Sequence, residues 1–164
     1  MAEGCKPWWQ GRRGEWYVAG QVLLGLLVFC GPGTWPGLPY WPPRLAVVAR
    51  ATGAILMATG AGLLAVGGWY LGRRLTPLPL PKANGDLVQT GPYRLVRHPM
   101  YAGGLLLGYG WALWTCGWLT LAYATGLLVF LDRKSAREER WLAERFPEYP
   151  NYQRRVRKLI PWIY

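Results

Sequence analysis

Four apolar stretches nearly devoid of charge divide the chain: 16–30, 45–71, 100–114 and 118–131. The charged residues gather between and beyond them. A soluble domain would intersperse its charges among apolar residues, so this segregation predicts an all-α, polytopic integral membrane protein with about four transmembrane helices. The second stretch is long enough to cross with tilt, and Arg50 near its start would snorkel outward. The other three fall short of the ~20 residues of an upright span, which predicts a tilted hairpin or a locally thinned bilayer for the last two. Between the first two, "GPGTWPGLPYWPP" is too rich in proline and glycine for regular structure, and "TCG" makes a tight turn between the last two.

The tail reads differently. No glycine or proline occurs between Leu127 and Phe146. The fourth span is therefore expected to continue into the cytoplasm as a helix over about 132–146, with Trp141, Leu142 and Phe146 on its apolar face. Pro147 and Pro150 would end it. The loop after the second span, "RRLTPLPLPKANGDLVQTGPY", favours extended chain and a turn.

Charge supplies the orientation. The formal net charge is +11, from 19 Lys and Arg against 8 Asp and Glu. Lys6, Arg12 and Arg13 precede the first span; Arg73, Arg74, Lys82, Arg94 and Arg97 lie between the second and third. The tail holds nine more, and the third–fourth connection holds none. Four crossings place all three basic segments on one side, so both termini are expected to be cytoplasmic. Trp16 and Trp69 would sit at the inner interface, and Trp35, Trp41, Trp114 and Trp118 at the outer one. A nucleic-acid binder would account for the charge but not for the apolar runs, so no nucleic-acid partner is expected. Cys5, Cys30 and Cys116 have neither metal-ligand spacing nor a CxxC pair, and no metal is expected. The first apolar run has no A-x-A site after it and reads as a retained anchor. The whole of 1–164 reads as one membrane-embedded domain.

Two cytoplasmic segments carry candidate chemistry. In "RHPMYAGG", Pro99 suits the first turn of a helix, whose free N–H groups and dipole favour an anion. Arg94 and Arg97 would reinforce that, and Gly103 and Gly104 would let a ligand or helix approach closely. His98 is the single histidine. The second segment is the Glu138–Glu139 pair on the basic helix, open to surface ion pairs with Arg137, Arg140 and Arg145 or to a ligand.

"GPYRLVRHPMYAGG" followed by "EERWLAERFPEYPNYQRRV" resembles the isoprenylcysteine carboxyl methyltransferase family, which is grouped with the membrane phospholipid methyltransferases. The likeness covers roughly residues 50 to 160, and the motifs are specific in combination. It implies S-adenosylmethionine as cofactor, bound on the cytoplasmic side by His98, Pro99, Tyr101, Gly103, Glu138 and Glu139, with Arg97 beside them. Gly60 and Gly62 match loosely a G-x-G that the related phospholipid enzymes use, although G-x-G in a membrane helix also serves packing. The chain is expected to have a short N-terminus and, with four spans, fewer crossings than some members.

The reaction so implied is methyl transfer to a lipophilic acceptor, a small molecule or a prenylated substrate delivered by membrane lipids. A carboxylate acceptor is already ionised and needs a cation, for which Arg154 or Arg155 is the candidate. An amine acceptor, as in phospholipid N-methylation, must lose a proton, for which Glu148 is the candidate base. The RHP motif favours carboxyl O-methylation of an isoprenylcysteine-like substrate. Readings of other classes are an NADPH-dependent membrane reductase, by likeness to longer sterol reductases, and a non-catalytic scaffold whose basic tail binds anionic lipid.

Overall fold

The computed structural model describes residues 15–72 and 87–164. The N-terminal basic residues, Cys5, and the proline-rich stretch with Arg73, Arg74 and Lys82 lie outside the described residues. What is described is helical: α1 (Glu15–Cys30), α2 (Pro43–Leu71), a 3-10 turn (Gly91–Arg94), α3 (Pro99–Thr115), α4 (Trp118–Arg145) and α5 (Tyr149–Arg155). The one extended pairing among the described residues is a parallel bridge between Val96 and Arg157.

Prolines open three of these helices. Pro43, Pro99 and Pro150 stand in first turns, where a missing N–H costs nothing. Pro150 thus starts α5, where the sequence expectation gave it only the role of a terminator. The α3–α4 turn closes at Cys116, held left-handed at φ 51°.

α2 packs chiefly on α3, through small residues. A Cβ built at Gly60 would lie 2.7 Å from the Gly103 oxygen, and one at Gly103 would lie 2.9 Å from the Gly60 oxygen. One turn pair away, Gly53 and Gly110 repeat the arrangement, with clashes at 2.6 and 2.8 Å. Gly53, Gly60 and Gly67 recur every seven residues and are buried; backbone meets backbone at the first two, and Gly67 faces the Met100 and Pro99 side chains. The remaining faces of α2 expose Leu45, Val47, Val48, Ile55 and Val66. On the other side of α3, α1 and α4 close a core of Val28, Leu105, Ala124, Leu127, Leu131 and Leu159.

Of the described helices, Pro43–Leu71 is long and apolar enough to cross a membrane; Trp16–Cys30 is apolar but shorter. At the end carrying the α3–α4 turn, Trp41 and Trp118 pack at 5.1 Å and the Trp118 indole donates to the Pro39 oxygen. α4 is one continuous helix through Arg145. Beyond Leu131 its buried residues are Lys134, Ser135 and Glu139, whereas Trp141, Leu142 and Phe146 are only half-buried. The face expected to be apolar gives way to a polar one because a polar partner lies opposite.

Candidate active site

That partner is the start of α3. The backbone N–H groups of Arg97 and His98 donate to the oxygens of Arg157 and Lys158, at 2.8 and 3.1 Å. The tail thus grips the RHP segment and fixes where its side chains leave. Tyr152 adds a second tie, donating to the Tyr93 oxygen at 2.6 Å. Gly91, at φ 59°, lets the preceding turn pass directly against the Tyr70 ring.

From this frame Arg97 and His98 reach the glutamate pair on α4. Arg97 Nε donates to Glu139 Oε1 at 2.8 Å, and His98 Nε2 lies 3.1 Å from the same oxygen. Gln153 Nε2 donates to Glu139 Oε2 at 3.0 Å. The other His98 nitrogen, Nδ1, faces Glu138 Oε2 at 3.6 Å, and Tyr101 donates a short hydrogen bond to Glu138 Oε1. The His98 and Tyr101 rings stack at 5.4 Å, 2° from parallel. Lys134, buried beside them, donates to Gln21 of α1 at 2.6 Å and sits over the Tyr101 ring. Four segments converge on a cluster shielded from water, where ion pairs and hydrogen bonds are strong and geometry is fixed.

The two carboxylates are held differently. Burial would raise Glu139, but hydrogen bonds from His98 and Arg97, and their charges, overcome it and hold the carboxyl down to about 2. Glu138 is pushed up: its desolvation outweighs the help of His98, Tyr101 and Lys134. Burial likewise lowers Lys134. Adjacent groups with opposed shifts are a mark of functional sites.

The structure therefore brings together Arg97, His98, Tyr101, Glu138 and Glu139 out of the residues named from sequence. It gives the others different positions. Pro99 is buried and lies 3.7 Å from where a Gly67 Cβ would stand. Gly103 and Gly60 are consumed by the α2–α3 crossing, and Gly62 is exposed with nothing near it. These glycines are packing residues or open surface, because the crossing leaves no room for a ligand between them. Of the two glycines in RHPMYAGG, Gly104 is the one whose Cβ position is open. Glu148 is exposed at the start of α5. Arg154 points instead into a separate cavity with Arg94, Arg155 and Arg157. The Glu138–Glu139 pair is matched to Arg97 and His98 rather than to Arg137, which lies over the Tyr17 and Trp141 rings. Sequence reasoning missed Gln153, Lys134, Gln21 and Tyr149. The Tyr149 hydroxyl is buried without a hydrogen bond of ordinary geometry, although the Arg97 guanidinium is close.

A buried polar cluster beside a helix long and apolar enough to cross a membrane is the setting in which the sequence matches fall. The chain belongs to the phospholipid methyltransferase family, whose model matches residues 48–149. It is 32% identical to the cobalt-zinc-cadmium resistance protein CzcN of Cupriavidus metallidurans, over 92% of this chain and 63% of that protein. It is 39% identical to methanethiol S-methyltransferase 1 of Bradyrhizobium diazoefficiens, over 43% of this chain and 24% of that protein. A probable protein-S-isoprenylcysteine O-methyltransferase of Oryza sativa subsp. japonica is 35% identical, over 47% of this chain and 41% of that protein. The chain thus spans less than two thirds of the length of each of these relatives.

Proposed function

We propose that the protein is an S-adenosylmethionine-dependent methyltransferase acting on a lipophilic acceptor at the cytoplasmic face of a membrane. The reading assigns four crossings to α1, α2, α3 and the first part of α4, with both termini cytoplasmic. The observation that carries it is the pairing of Arg97, His98 and Tyr101 with Glu138 and Glu139 across two segments far apart in sequence.

The donor set fits a cationic, polar cofactor. Glu138 is a poorly solvated carboxylate, which gains most from a nearby positive charge. The Tyr149 hydroxyl is a buried donor short of a partner, and Gly104 leaves open space where a Cβ would stand. Glu138, Tyr101 and His98 would hold the cofactor, with Glu139 as the group that fixes His98 and Arg97. Bound there, S-adenosylmethionine would supply a methyl group on a sulfonium. Arg97 is fully engaged by Glu139, Gln153 and Val156, so it acts as a strut between α3, α4 and α5.

Carboxyl O-methylation of an isoprenylcysteine-like substrate remains the favoured reaction, since the acceptor arrives ionised and needs no base. The exposed position of Glu148 supports this choice. For the alternative, N-methylation of a phospholipid amine, Glu138 is the better proton acceptor, because its raised carboxyl pKa is closer to that of a useful base. The test is calorimetric titration of S-adenosylmethionine into the detergent-purified protein, with NADPH as control. Saturable binding that His98→Ala or Glu139→Ala weakens is expected. Absence of donor binding by folded, lipid-reconstituted protein would refute the reading. Methyl transfer from labelled donor to a farnesylated cysteine or to phosphatidylethanolamine then separates the two acceptors.

A further inference from the structure

Outside this cluster lies a strongly basic cavity of about 270 Å³ lined by Arg94, Leu95, Arg154, Arg155, Arg157 and Trp162. Among the described residues no carboxylate lines it. The arginines come from three segments: the 3-10 turn, the last turn of α5 and the bridge strand. The Arg97–Arg157 backbone bond fixes the backbone of the bridge segment beside the 3-10 turn, so the arginines issue from anchored positions. One of them, Arg155, donates to Gln89 at 3.2 Å, a neutral partner that leaves its charge uncompensated. Like charges gathered in one concavity repel, and an anion bound among them relieves that repulsion.

An apolar tip borders the cavity. Residues 159–164 fold into a turn in which the Leu159 and Ile160 N–H groups both donate to the Tyr164 oxygen, at 2.7 Å. Tyr164 in turn donates from its hydroxyl to Asp132 at 2.7 Å. Trp162 stands at φ 62° on the outside of this turn, 84% exposed, and Ile163 beside it is 76% exposed. Leu95, on the cavity wall, is also exposed. A free anion would use the arginines and leave these side chains in water. A lipid uses both, with the phosphate among guanidinium forks and the acyl chain along the apolar tip. The cavity opens at the α3 N-terminal end of the bundle, the level at which headgroups of the inner leaflet would lie.

We propose that this cavity binds the headgroup phosphate of an anionic glycerophospholipid, with Trp162 and Ile163 seated in the acyl boundary. The site is separate from the Glu138–Glu139 cluster and stands whether or not the protein transfers methyl groups. It also gives Arg154 a role other than holding an acceptor carboxylate.

The test is native mass spectrometry of the full chain released from micelles supplied with dioleoylphosphatidylglycerol, dioleoylphosphatidylcholine or inorganic phosphate. Phosphatidylglycerol is expected to be retained in preference to phosphatidylcholine. Retention should fall about fivefold for each arginine removed, so about 25-fold in the Arg154→Gln/Arg157→Gln variant. Trp162→Ser should weaken phosphatidylglycerol retention as well. Equal retention of both lipids, unchanged retention in the double variant, or displacement by inorganic phosphate at equal concentration would each overturn the proposal. Should the double variant lose its helical circular dichroism, Arg94→Gln/Arg155→Gln replaces it, with the same expected loss.

Discussion

Glu139 collects three donors from three places: Arg97, His98 and Gln153. Removing it strands a buried guanidinium, a loss on the order of 3 kcal/mol. Glu139→Ala should therefore lower the thermal midpoint of the purified protein as well as weaken donor binding, and Glu139→Gln, which keeps the acceptor oxygen, should do less of both. The carboxyl sits near 2 in the folded protein, against 4.5 when unperturbed. Its stabilisation is thus complete above about pH 4.5 and drains away as pH falls toward 2. Glu138 has the opposite sign: its folded pKa is raised, so its contribution is present at low pH and is lost as pH rises through that value. Denaturant unfolding measured between pH 2 and 7 should show the acid loss shrink in Glu139→Gln and persist in Glu138→Gln. At this level the sequence was informative where residue types were unusual. A lone histidine after an arginine and before a proline, and a double glutamate in a basic helix, stood out. Gln153 and Gln21 did not, because a glutamine carries no signature until the fold puts a carboxylate or an ammonium within reach.

The first four helices and most of their boundaries were legible from apolar runs, prolines and glycines, since burial of apolar surface and the missing proline N–H act locally; α5 was not, because its Pro150 reads as a terminator. Which glycines face a neighbour is not local. The period of seven in Gly53, Gly60 and Gly67 becomes meaningful only once α3 offers Gly103 and Gly110 at the same spacing. Gly60→Leu should force α2 and α3 apart, costing about 1–3 kcal/mol and reducing the yield of folded protein in detergent. Gly62→Ala, two positions along, meets nothing within 4 Å and should leave thermal stability at or slightly above that of the parent. A fluorescence-monitored melt of the two variants side by side distinguishes packing from cofactor contact for the G-x-G. The polar face of α4 is the converse case. Its buried Lys134, Ser135 and Glu139 break the apolar rule that sequence periodicity relies on, and such breaks fall where chemistry is held.

The arrangement of the helices makes the orientation testable. Cys30 ends α1 and Cys116 closes the α3–α4 turn, both remote from the Glu139 cluster, and both are free thiols. With the termini cytoplasmic, a membrane-impermeant maleimide applied to intact cells should label Cys30 strongly and Cys116 more weakly, following their exposure. In a variant lacking both, Cys5 should react only after permeabilisation. Labelling of Cys5 in intact cells would invert the scheme and place the cluster on the wrong side for a cytoplasmic cofactor.

The grip of Arg157 and Lys158 on the amides of Arg97 and His98 also has a consequence in time. Synthesis runs from the N-terminus, so the histidine and both glutamates emerge before the carbonyls that anchor the RHP segment exist. A nascent chain halted at Val156 would carry every diagnostic motif and still lack the clasp. The cluster would then assemble abruptly once Arg157 and Lys158 are in place, and a chain halted before them would hold its histidine and glutamates without the frame that aligns them.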